Sequence, residues 1–326
     1  MKKHVCLAVL LAMVSVQYVQ AEVPFVELNR HMGEISSIAF SPDGKRIVTG
    51  NSVGSIVQIW DTDTGEELHK FMGVSGYRAS VVAFSPDGRK ILVAGLGTMR
   101  FTSSVIQIRD SESGEVLRSW TLSAAIYSAT LSPNGKKVIA TFSSGRVRFF
   151  DIESGQEMQP LATEFRIDRA AFSPDGRKII AASTNITPTR SNDTVRIVDA
   201  DSGKVLLTLE GMHAPSTSAV FSPDGKKIVL ARLDHTARIW DIESGKELQI
   251  LKGHTDNVLS ATFSPDGKNV ATASQDSVRI WDSESGAVLR TLRGPMGRVH
   301  SVVFSPDSKK IAIGRYDHTA RIWTLE

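Results

Sequence analysis

A chain of 326 residues that is 41% apolar has ample material for a sizeable core, while its formal charge of +3 leaves no dominant sign on the surface. Recruitment by a long-range field to nucleic-acid phosphates or anionic lipid is therefore not expected. The one cysteine, Cys6, excludes an intrachain disulfide framework.

From the N-terminus, Lys2 and Lys3 form a basic start, Val5 to Val16 an apolar run of 12 residues, and Val19-Gln20-Ala21 a small-residue cleavage signature. That run is shorter than the roughly 20 residues needed to span a bilayer. Residues 1–21 accordingly read as a signal peptide and residues 22–326 as one domain, delivered to a bacterial-type periplasm or outside the cell. Removing the leader discards Cys6 and leaves 36 basic against 35 acidic side chains. Phe25 to Arg30 follows as a short strand.

Seven copies of Ser-Pro-Asp-Gly-Lys or a near variant then begin at Ser41, Ser85, Ser132, Ser173, Ser222, Ser264 and Ser305, at intervals of 44, 47, 41, 49, 42 and 41 residues. Repetition at that period marks one supersecondary unit used over and over. In the unit from His254 to Leu292, the spacing predicts strands over Val258 to Phe263, Asn269 to Ser274, Val278 to Asp282 and Ala287 to Leu292. Pro265 presets the turn between the first two, and Gly267 accepts its positive φ. Four antiparallel strands in about 40 residues make one propeller blade. The expected fold class is all-β, a seven-bladed β-propeller of four-stranded antiparallel blades. The last copy stops at Ala320-Arg321-Ile322-Trp323, three strands in, so Phe25 to Arg30 is expected to supply the fourth strand of that blade and close the ring. In the same copy Asp307-Ser308 replaces the usual turn Asp-Gly, which forces a serine into a left-handed conformation at a cost of roughly 1–2 kcal/mol.

The Ser-Pro-Asp-Gly turns, together with Ile-Trp-Asp at fixed offsets as in Val57 to Asp61, Ala237 to Asp241 and Val278 to Asp282, resemble the WD-repeat family over essentially residues 23–326. The resemblance implies a rigid platform for other molecules; it does not imply a reaction. It also implies a structural hydrogen-bond network, carried in blade 6 by His254, Ser274, Asp276 and Trp281. Blades 5 and 7 keep Asp234 with Trp240 and Asp317 with Trp323, but have Arg232 and Arg315 in the serine's place, so their networks read as incomplete.

Several patterns that look chemical have simpler explanations. The histidine, serine and aspartate of blade 6 satisfy one another beside an indole, and no oxyanion-binding glycine elbow accompanies them. The turn aspartates lack the alternating oxygen ligands of a calcium loop. Arg148, Arg196, Arg238, Arg279 and Arg321 recur two residues before the end of each third strand, with Gln58 and Gln107 in the first two blades, and read as stems packed along a blade. His235 and His318 sit in identical Asp-His-Thr turns without zinc spacing. No catalytic residue, metal ligand or cofactor is therefore assigned. An enzyme is the competing reading, since other propellers act as quinone-dependent dehydrogenases or lactone hydrolases, but no convergent cluster for either is visible.

Function is expected on the face whose connections differ from blade to blade. It carries the long loops Ala94 to Ser104, with Met99, Arg100 and Phe101, and Ser183 to Asp193, with Ile186 and Arg190. Family resemblance places partner-facing residues just before the turn aspartate, here Leu233, Gln275 and Tyr316, with Arg315 beside them and Tyr77 and Arg78 before blade 2. Aromatic and arginine anchors of this kind favour binding of a protein or peptide, by a monomer or by a subunit of an envelope complex.

Overall fold

A computed structural model of the protein describes residues 24–53, 55–73, 77–97, 103–161, 163–183, 186–187, 190–191, 194–209, 214–275, 277–292 and 299–325. Residues 1–21, read from the sequence as a signal peptide, lie outside these. The described residues form no helix, so none is long and apolar enough to cross a membrane.

Each repeat is an antiparallel meander. Blade 1 comprises Ile35–Phe40, Arg46–Asn51, Ile56–Asp61 and Glu67–Met72, and blade 6 comprises Val258–Phe263, Asn269–Ser274, Val278–Asp282 and Val288–Leu292. Blades 2, 4 and 5 run from Tyr77 to Leu122, Arg169 to Leu209 and Ser216 to Lys252 in the same order. In blade 4 a small hairpin, Ile186–Thr187 with Arg190–Ser191, rises from the loop between the second and third strands. Blade 3 has the strands Ile126–Leu131, Lys137–Phe142 and Val147–Asp151, while its fourth position is reduced to one bridge between Glu157 and Phe150. Pro160 follows shortly and cannot donate to a ladder, which explains why pairing stops there.

A sheet covered on both faces needs strands that are apolar nearly throughout. The second strands meet that demand: Lys227–Arg232 and Asn269–Ser274 are each buried at five successive positions. Seven hydrophobic clusters result, each drawing on two neighbouring blades. One of them joins Ala312, Ala320 and Ile322 of blade 7 to Ile35, Ile38, Ile47 and Trp60 of blade 1, with Leu28 fully buried among them. The propeller is thus a closed ring of seven blades.

Phe25–Leu28 pairs antiparallel with the last strand, Phe25 opposite Trp323 and Leu28 opposite Ala320. Blade 7 therefore takes its outer strand from the other end of the chain, and the Arg321 guanidinium pairs with Glu27 at 3.1 Å across that junction.

Candidate functional site on the loop face

The meander puts the first and third connections of every blade on one face and all the others on the opposite one. On the first, the turn face, chemistry repeats. Ser41 Oγ donates to Asp43 Oδ1 at 2.5 Å, and the Lys45 and Arg46 amides donate to Asp43 Oδ1 and Ser41 Oγ at 3.1 and 2.9 Å. Equivalent bonds recur at Ser85, Ser173, Ser222, Ser264 and Ser305. The serine hydroxyl holds the Asp43, Asp87, Asp175, Asp224 and Asp307 carboxyls below the ordinary carboxylate range. These turns also meet one another: a methyl group on Gly88 would lie 3.4 Å from Pro42 Cδ, and one on Gly44 3.5 Å from Pro306 Cδ. At the step where serine replaces glycine, Ser308 has φ 62° and its hydroxyl accepts the Asp266 amide at 3.3 Å. The turns of this face are thus internally satisfied and interlocked around the ring.

The loop face is supported by two polar networks. In blade 6, His254 Nε2 and Trp281 Nε1 converge on Thr272 Oγ1, each at 2.7 Å, and the Ser277 hydroxyl lies 3.4 Å from His254 Nδ1. The residue expected to close this network, Ser274, instead donates to the Asp256 carbonyl at 3.0 Å. The correction has a geometric cause. Thr272 lies opposite Arg279, two positions before Trp281, so alternation of side chains puts it on the indole's face at the right depth. Asp276 lies outside the described residues.

Blade 1 contains a second copy that the repeat pattern did not reveal. His31 Nε2 is 2.9 Å and Trp60 Nε1 3.0 Å from Thr49 Oγ1, and Thr49 faces Gln58 as Thr272 faces Arg279. A histidine 18 residues before a threonine, with a tryptophan 9 to 11 after it, is the signal that finds both copies. Burial is the main cause of a His31 pKa of about 4, offset in part by the carbonyls of Leu28 and His318. In blade 5 Leu230 occupies the threonine position, and the buried Trp240 Nε1 makes no hydrogen bond among the described residues.

Blades 5 and 7 use another solution. Arg232 and Arg315, 0% and 1% exposed, reach Asp234 at 3.5 Å and Asp317 at 2.7 Å. Arg315 is consequently a buried strut of its turn and is withdrawn as a partner-facing residue. Burial opposes ionisation of Asp234, but the Thr236 hydroxyl with Arg232 and Arg238 holds its pKa below the usual value. The recurrent arginines behave as packed stems: Arg238 pairs with Glu247 at 2.8 Å, Arg148 pairs with Glu157, and Arg279 lies 5.9 Å from the Trp281 ring.

Of the residues expected to meet a partner, Leu233, Gln275 and Tyr316 stand half-buried at matching positions on blades 5, 6 and 7. Tyr77 is half-buried and Arg78 exposed on blade 2, away from those three. Met99, Arg100 and Phe101 lie outside the described residues, and Arg190 is placed only as part of its short strand. Between blade 7 and blade 2 the structure adds apolar residues not foreseen. Met32, Val53 and Met72 are 64%, 58% and 65% exposed on blade 1. The Met32 loop touches Val53, since a methyl group on Gly33 would lie 2.7 Å from Val53 Cβ. Exposed apolar residues grouped at one place mark contact surfaces. Among the described residues no group of three or more His, Cys, Asp or Glu could hold a metal ion.

The architecture is that of a propeller with interlocked turns on one face and unequal loops on the other. Four stretches, residues 23–61, 203–241, 245–282 and 286–324, match the family model described as WD domain, G-beta repeat. The chain belongs to the WD-repeat family, whose propellers generally serve as protein-interaction scaffolds. No curated protein matches the chain. Each matched stretch straddles two blades, as in residues 286–324, which join the fourth strand of blade 6 to the first three of blade 7. That offset is why the first stretch begins with the strand that completes blade 7.

Proposed function

We infer that the protein is an exported, non-enzymatic scaffold that captures a protein or peptide on its loop face, as a monomer or within an envelope complex. The observation that carries this reading is the contrast between faces: seven near-identical turns are consumed in holding the ring, whereas Tyr316, Met32, Val53 and Met72 present aromatic and apolar surface that serves no core. A stiff ring presents them in fixed relation, so little ordering cost accompanies binding.

The leader composition supports export. Mass measurement of the secreted protein should show a chain starting at Glu22; an intact N-terminus in a cytosolic fraction would refute export. For binding, wild-type protein and the M32A/Y316A variant are compared as baits in crosslinked envelope extract. A partner held by the wild type and lost from a variant of unchanged melting temperature is expected, and equal capture by both would remove this face from the function.

A further inference from the structure

Charge on the loop face is unevenly distributed. Over blades 5, 6, 7 and 1 the acidic groups Asp234, Asp256, Asp317 and Glu34 are met by the exposed Arg30 and Lys252 and by Arg232 and Arg315 buried against their aspartates. Over blades 3 and 4 cations prevail among the described residues. Arg146 and Arg169 are exposed, and Arg166, 40% exposed, is held at 2.7 Å by the buried Asp168. Arg196 sits 4.2 Å from the Phe165 ring centroid. Its placement over a ring, where blades 3, 5 and 7 pair the same arginine with a carboxylate, follows from the residue that faces it across the strand pair. In blade 5 Glu247 lies opposite Trp240 and within reach of Arg238, but in blade 4 Val205 takes that place opposite Val198. Glu164 is the other acidic group among the described residues there.

Successive first strands pack against one another around the axis, so they line the central channel. Arg169 opens the first strand of blade 4, and Tyr127, 48% exposed, stands second in that of blade 3. The cationic quarter therefore runs from the outer loops to the channel mouth and carries an aromatic surface along it. Grouping like charges gains the fold nothing, whereas guanidinium forks match carboxylates with two bonds each.

We propose that Arg146, Arg166, Arg169 and Arg196, with the channel mouth beside Tyr127, receive a carboxylate-rich extended segment of a partner protein. The inference rests on the scaffold reading above and names the chemistry of its partner.

A fluorescein-labelled Glu/Asp-rich peptide and its Gln/Asn counterpart serve as probes for fluorescence polarisation on the full chain, with single-stranded DNA as competitor. The acidic peptide should bind at least tenfold tighter than the amide peptide, weaken at least tenfold in R146E/R169E, and weaken as salt rises. K226E/K268E, on the turn face, should bind like the wild type. Should the reversed variant fail to fold, R146Q/R169Q answers the same question with an expected loss of at least threefold. Equal binding of both peptides, equal losses in the two variant pairs, or DNA displacing the peptide with higher affinity would each overturn the proposal. If partner capture is lost in M32A/Y316A but untouched in R146E/R169E, the acidic-segment inference falls while the scaffold reading stands.

Discussion

Acid should weaken this propeller through His31 before its carboxylates titrate. Trp60 donates to Thr49 Oγ1, and in the tautomer with Nε2 unprotonated the neutral His31 ring accepts the Thr49 hydroxyl at 2.9 Å. Protonating the ring turns the acceptor into a donor and places a charge where the side chain is only 7% exposed. With a folded pKa of about 4 against 6.5 for the free side chain, the unfolded chain binds the extra proton first. Stability is therefore whole above pH 6.5 and is lost as pH falls from there towards 4. Linkage over that interval comes to about 2 kcal/mol at pH 5 and about 3 kcal/mol at pH 4. Urea unfolding at pH 7.5 and pH 5 should show this loss in the wild type, and a loss smaller by about 2 kcal/mol in H31Q. Equal pH dependence in the two proteins would refute a buried neutral imidazole. Below pH 4 both should lose further stability together, as the turn aspartates whose carboxyls are held low by serine hydroxyls become protonated.

Deletion of Phe25 to Leu28 should lower the melting point of the whole ring, because it strips the outer strand from blade 7 and the fully buried Leu28 from the seam with blade 1. L28A alone should cost about 2–4 kcal/mol by urea unfolding, and an undiminished midpoint would show that the strand does not close the ring. T272V should cost about 1–3 kcal/mol, since it leaves both the His254 ring and the Trp281 indole without their shared hydroxyl. S274A, which loses one bond to a carbonyl, should cost less, and the reverse order would restore the serine to the network. S308G should relieve the positive φ and raise the melting temperature by about 2 °C, corresponding to about 1 kcal/mol; a lowered value would mean that the hydroxyl's bond to Asp266 outweighs the strain.

How far the sequence can be read depends on whether a feature is local. The turn at Ser264 to Gly267 needs only its own four residues, and the strands on either side of it occupy the positions that their spacing indicates. Positive φ at Ser308 follows from the same turn chemistry. His235 and His318 share that conformation, at φ 64° and 68°, although nothing in their triplet names it. The shared-hydroxyl network falls to Ser274 on sequence and to Thr272 in the structure, because these two small hydroxyl residues lie on the same side of one strand. Only depth relative to the indole separates them.

The repeat period by itself determined the all-β class, the number of blades and the division into a turn face and a loop face, because each follows from chain-local turns counted along one dimension. Tertiary structure decided what depends on neighbours distant in sequence. The burial of Arg315 comes from the packing of its blade against the next. The exposed group of Met32, Val53 and Met72 comes from two loops and the end of a strand. The seat of Arg196 over Phe165 joins the third strand of blade 4 to the connection that precedes its first strand. A side chain's partners across a ring are fixed by where the blades meet, and a linear pattern carries no measure of that distance.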